Sequence, residues 1–175
     1  MRILVTGGVR SGKSSHAEAL VGDGPATYVA PGPSPDVETD PDWAARVTAH
    51  QARRPATWTT LETQDLATAI REGQDPVLVD CLGTWLTAVV DEADAWEQDN
   101  DTVLELVGSR VDEVVETLRD SALDVVLVTN EVGLGVVPEH RSGRLFRDLL
   151  GTVNQRVATA CDEVHLVVAG RVLRL

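Results

Sequence analysis

Gly7-Gly8-Val9-Arg10-Ser11-Gly12-Lys13-Ser14 is an unbroken G-x-x-x-x-G-K-S segment. Before it, Ile3-Leu4-Val5 reads as a short buried strand; after it, Ser14-Ser15-His16-Ala17-Glu18-Ala19-Leu20 reads as the first turns of a helix. Strand, glycine-rich turn and helix in that order build a cradle for phosphate. Glycine lets the backbone curl until its N–H groups and the helix N-terminus face one anion. Lys13 is the sole lysine of the chain, the other fourteen basic residues being arginine. A compact ammonium reaches between β- and γ-phosphates as a point charge, where a planar guanidinium does not fit. The segment implies nucleoside triphosphate binding through residues 7–14, the alternative being a glycine-rich turn without a ligand.

Further out, 175 residues with 43% hydrophobic content support one folded domain with a full core, taken as residues 1–175. No run of eighteen or more apolar residues occurs, so no membrane span is expected. The first residues lead straight into strand and loop, which does not read as a signal peptide. Cys81 and Cys161 are too few for a disulfide framework. They are expected to be reduced packing residues in a cytoplasmic protein, with a catalytic Cys81 as the alternative. A net charge of −13 argues against a nucleic-acid partner. Against that acidic background Arg46, Arg53 and Arg54 cluster around His50, and such a basic island suits an anionic ligand.

Apolar runs predict strands over 3–6, 27–30, 76–80, 124–129 and 163–169, with a further edge strand over 172–175. Helices are expected over 14–21, 42–53, 66–72, 84–91, 102–121 and 144–160. This alternation gives an α/β fold: a single-domain P-loop NTPase of RecA-like type, its mostly parallel central sheet flanked by helices. The proline-rich stretch Ala30-Pro31-Gly32-Pro33-Ser34-Pro35 is a loop leaving a strand end. Residues 91–101 carry six carboxylates and read as a solvated surface stretch. Ligands of such sheets sit beyond the carboxyl ends of the strands. That rule gathers the phosphate loop, the proline-rich loop, Asp80 and Asn130-Glu131 on one rim.

Val77-Leu78-Val79-Asp80 has the form of a Walker B strand, whose aspartate holds Mg²⁺ beside the Ser14 hydroxyl; a simple turn cap is the alternative. His50 lies near the end of a predicted helix that Pro55 stops. Arg46, Arg53 and Arg54 stand at i−4, i+3 and i+4 and line its face if the helix persists. Nearby cations favour the neutral imidazole, whose lone pair can attack phosphorus and form a covalent intermediate. On pattern alone, an exposed helical histidine among solvated arginines is the favoured reading. His16 reads as a packing or surface residue, His165 as structural, His140 as a loop residue within reach of a ligand, and the tryptophans as core or interface.

With these residues in place, the chain resembles the bifunctional adenosylcobinamide kinase / adenosylcobinamide-phosphate guanylyltransferase family over nearly its whole length. The resemblance rests on Ile3-Leu4-Val5-Thr6-Gly7-Gly8 leading into Arg10-Ser11-Gly12-Lys13-Ser14, and on His50 followed by Arg54-Pro55 and Trp58. Asp80-Cys81-Leu82, Thr129-Asn130-Glu131-Val132-Gly133 and Phe146-Arg147-Asp148 with Asn154-Gln155 extend it. It implies two reactions at one site. ATP or GTP phosphorylates adenosylcobinamide; GMP then passes from GTP through a guanylylated histidine, matched by His50, to give adenosylcobinamide-GDP and pyrophosphate. Nucleotide contacts are implied for Ala30, Pro31, Gly32, Gln51, Ala52, Arg53, Arg54, Glu62 and Asp80, and a homotrimer for the assembly. Pro31 departs from the small hydroxyl residue of many relatives. The competing expectations are a P-loop small-molecule kinase with a structural His50, and a nucleotide-binding module without turnover.

Overall fold

Alternate residues of the apolar runs face opposite sides of one sheet, and that alternation divides the core in two. The computed structural model describes residues 1–34, 38 and 40–175; Pro35, the end of the expected proline-rich loop, lies outside the described residues. Seven strands, β1 (Arg2–Thr6), β2 (Ala26–Ala30), β3 (Trp58–Glu62), β4 (Val77–Asp80), β5 (Val125–Val128), β6 (Glu163–Val168) and β7 (Arg171–Arg174), form the sheet. Their order is β3-β2-β4-β5-β1-β6-β7. All neighbours pair in parallel except β6 and β7.

Leu4, Val29, Val77, Val79, Val125 and Leu127 face the larger cluster. It is covered by α3 (Leu66–Arg71), α4 (Leu82–Glu92), α5 (Asn100–Asp120) and α6 (Arg141–Ala158). In α5, Val103, Val107, Val111, Val114 and Leu118 recur at helical spacing and are buried, which fixes the face turned inward. Ile3, Val5, Tyr28, Leu78, Val126 and Val128 face the other way, toward α1 (Lys13–Val21), while α2 (Pro41–Arg53) adds no residue to this cluster. That side is thinner. Ala17 is the only residue α1 buries, and Ala44 the only one α2 buries. Polar tethers therefore decide where α2 sits.

The expected elements appear within a few residues of their boundaries, with β3 as the exception. Only Trp58 of that strand is buried, while Thr59 to Glu62 are exposed. An edge strand of this kind has no apolar run to announce it. The segment 91–101 serves the helix that follows it: Asp99 caps α5, accepting from the Thr102 amide at 2.9 Å. Among the described residues, no helix is long and apolar enough to cross a membrane.

Candidate active site

The phosphate loop joins β1 to α1 at the carboxyl edge of the sheet. Two of its glycines have no substitute. A Cβ on Gly7 would stand 2.4 Å from the Val167 carbonyl oxygen, and Gly12 takes the left-handed φ of 95° that starts α1. The turn between β6 and β7 braces the loop, Gly170 donating its amide to the Ser11 carbonyl at 2.8 Å. Lys13 folds over the loop, its Nζ donating to the Gly8 carbonyl at 3.3 Å.

Asp80 closes β4, and its side chain is 8% exposed. Burial pushes its carboxyl up from the ordinary range, opposed by His50, by the Ser14 hydroxyl, by Lys13 and by the Tyr28 hydroxyl. Its Oδ2 is buried and accepts no hydrogen bond. A buried, unsatisfied carboxylate oxygen costs free energy unless a cation answers it. With the Ser14 hydroxyl beside it, this hard-oxygen pair fits Mg²⁺.

His50 comes to the same place from α2. Its Nδ1 stands 3.5 Å from Asp80 Oδ2 and 3.3 Å from Arg53 Nη2. Burial lowers its pKa first; Arg53 and Arg54 add to that, while Asp80 and Glu18 oppose it. The direction agrees with the sequence expectation of a neutral imidazole, but burial rather than the arginines leads. Arg53 is itself held by Glu18 of α1, at 2.9 and 3.2 Å.

Arg54 does not share the His50 face. The helix ends at Arg53, and Arg54 adopts extended angles (φ −70°, ψ 136°) as a residue before proline does. Its guanidinium swings onto the Tyr28 ring, 3.4 Å from the centroid, and Nη1 donates to Thr60 Oγ1 at 2.9 Å.

A cleft of about 480 Å³ joins these groups. Of the expected residues, Val9 to Ser14, Ala30, Gly32, His50, Arg53, Arg54, Glu62 and Asp80 line it. Gly7 and Gly8 shape the loop from behind, Pro31 is buried, and Gln51 and Ala52 are exposed on α2 away from the lining. Glu62 ends β3 and accepts from Ser34 Oγ at 3.1 Å. Arg46 lines the cleft but, among the described residues, makes no hydrogen bond to His50. His140 stands exposed at the start of α6, outside the lining.

Trp43 departs from its expected place, Cys81 keeps its packing role, and Tyr28 was missed. Trp43, expected as core or interface, forms cleft wall with Gly32 and Thr84 and donates from Nε1 to the Pro33 carbonyl at 3.1 Å. Cys81 lines the cleft, but burial raises its thiol pKa, the opposite of an activated nucleophile. Tyr28 had no assigned role, since it reads as one more residue of a buried strand. The signal lay in its chemistry: a phenol amid Ala, Thr and Val in a strand that leads to the site. His16 and His165 are indeed packed, Nε2 to Nδ1 at 2.9 Å, with Glu163 accepting from His165 Nε2 at 2.8 Å.

Comparison with known proteins agrees with this geometry. The family model for cobinamide kinase / cobinamide phosphate guanyltransferase matches residues 3–175. The chain is 43% identical to the bifunctional adenosylcobalamin biosynthesis protein CobU of Salmonella typhimurium, over 97% of each chain. It is 35% identical to the bifunctional adenosylcobalamin biosynthesis protein CobP of Pseudomonas aeruginosa, over 97% of this chain and 94% of that one. A solved ATPase of a bacterial type III secretion system shares the fold at a TM-score of 0.57 and 12% identity. That match covers 94% of this chain and half of the ATPase. The matched span, which takes in the loop, His50 and Asp80 together, places the chain in the cobinamide kinase / cobinamide phosphate guanyltransferase family.

Proposed function

We propose that this chain, acting as one catalytic unit over residues 1–175, phosphorylates adenosylcobinamide with ATP or GTP. It then transfers GMP from GTP to that phosphate by way of a guanylylated His50. The observation that carries the reading is the placement of His50. A neutral imidazole faces Asp80 at 3.5 Å in the same cleft as the phosphate loop, although its helix buries only Ala44.

The geometry supports the following roles. The loop amides and Lys13 hold the triphosphate. Nδ1 of His50 faces both Arg53 and Asp80, which leaves Nε2 as the open nitrogen. Arg53 Nη2 can only donate, so its contact makes Nδ1 the acceptor in one tautomer. In the tautomer that reacts, the Nδ1 proton turns toward the Asp80 carboxylate and Nε2 has the lone pair. It forms a bond to the α-phosphorus as the α–β bridging P–O bond breaks, and pyrophosphate leaves. The phosphate oxygen of the corrinoid then attacks the same phosphorus and frees His50. Arg53 and Arg54 stand near enough to act on the charge of His50 and suit the charge that builds on phosphoryl oxygens. Ser14 and Asp80 are the residues that would hold Mg²⁺, which when bound neutralises triphosphate charge. Ala30, Gly32 and Glu62 contact the remainder of the nucleotide. A homotrimer is proposed as the assembly.

The test is the intact mass of purified protein after incubation with GTP and Mg²⁺, beside His50→Ala. One added GMP, acid-labile and absent from the variant, supports the reading. GTP binding without an adduct, even after rapid quench, returns the chain to a kinase alone. Sedimentation analysis tests the trimer.

A further inference from the structure

Tyr28 is 3% exposed in the middle of β2, and nothing in phosphate-loop chemistry calls for a phenol there. In register it pairs with Thr60 of β3 on one side and Leu78 of β4 on the other. Asp80 lies two residues beyond Leu78, on the same face of β4. The phenol therefore stands between the Arg54 anchor on β3 and the carboxylate that ends β4.

Both faces of this arrangement are used. The buried ring carries the Arg54 guanidinium at 3.4 Å from its centroid, a cation–π contact. Thr60, the strand partner of Tyr28, holds the same guanidinium through Nη1 at 2.9 Å. Trp58 lies against the ring with centroids 6.4 Å apart and flanks the platform. Beyond the ring, Tyr28 and Asp80 line the same cleft. Arg54 Nε stays buried and without a partner once the clamp is made.

We infer that Tyr28 is a positioning residue for the nucleotidyl transfer: its ring fixes the Arg54 guanidinium and its hydroxyl fixes the Asp80 carboxyl, the cation and the anion that act on His50. The inference rests on the function proposed above. A packing role makes a different demand. Phenylalanine fills the same space in the apolar cluster, and loss of a buried hydroxyl would then be neutral or stabilising. Positioning instead makes Tyr28→Phe slow without loosening the fold.

The experiment measures GMP loading under single-turnover conditions, by quenched intact mass over a range of GTP concentrations with Mg²⁺. It uses the whole chain, with thermal melts of each variant. Tyr28→Phe keeps the cation–π platform and is expected to lower the maximal rate about tenfold, with half-saturating GTP changed less than threefold. Tyr28→Leu loses both contacts and is expected to fall about a hundredfold. Should Tyr28→Leu not fold, Thr60→Val tests the Arg54 clamp from an exposed position, with a rate loss of about threefold. Wild-type loading rates in both Tyr28→Phe and Thr60→Val overturn the inference. So does an effect confined to half-saturating GTP with the maximal rate unchanged. Wild-type protein that binds GTP but takes no GMP defeats the proposed function instead, a result separate from either.

Discussion

His50 Nδ1 and Asp80 Oδ2 meet at 3.5 Å between a helix that buries one residue and a strand end buried in the sheet. Burial drives both toward their neutral forms, His50 down and Asp80 up. A carboxylate kept there against desolvation destabilises the fold in exchange for chemistry. Asp80→Asn is therefore expected to raise stability by about 1 kcal/mol, roughly 2–4 °C in Tm. The same change is expected to slow GMP loading on the order of 10²-fold. Calorimetry and single-turnover loading on one preparation check both directions.

Gly7→Ala is expected to fail for steric reasons alone. Its Cβ would press to 2.4 Å on the Val167 carbonyl oxygen, a backbone atom that cannot turn aside. We expect a loss of about 1–3 kcal/mol in urea denaturation, with nucleotide binding lost. Gly135→Ala, where a Cβ meets nothing within 4 Å, is the control and is expected to be close to neutral.

Lys13→Arg keeps the charge and is still expected to cost turnover about 10²-fold, close to the effect of Lys13→Ala. The loop accommodates an ammonium that reaches the Gly8 carbonyl at 3.3 Å, and a guanidinium is wider and planar. A steady-state assay of phosphoryl transfer separates the readings: recovery in the arginine variant would mean that charge alone matters.

Asp162 gives an acid-stability prediction with a definite sign. Arg2 donates to it from its backbone amide and from Nη2, each at 2.7 Å, joining the start of β1 to the approach of β6. These contacts lower its pKa from 3.8, the side-chain bond of Arg2 leading. A depressed carboxyl adds stability above its unfolded value and loses it as pH falls through the folded one. Asp162→Asn is thus expected to lower Tm at neutral pH, with the two proteins converging below pH 3.8. Melts taken stepwise from neutral to strongly acidic solution test it.

The sheet and its helices were legible because their residues repeat: Val77 to Val79 and Val125 to Val128 are continuous apolar runs, and α5 carries valine at helical spacing. β3 was not, since four of its five residues face water. In the site, the phosphate loop, Asp80 and His50 were readable from local pattern and family likeness. Arg54 was expected beside His50, yet Pro55 turns it out of the helix and onto Tyr28. Tyr28 and Trp43 escaped because periodicity reports that a side chain is covered, never what covers it. A cleft wall and a core face look alike in one dimension.

The solitary lysine has a practical side as well. Within residues 1–175 no side chain other than that of Lys13 carries a primary amine. Acylation chemistry that scatters over the lysines of an ordinary protein meets one side-chain address here, and it lies in the cleft. Counting acyl groups by mass, with and without a bound triphosphate, turns a general amine reagent into a gauge of how full the phosphate loop is.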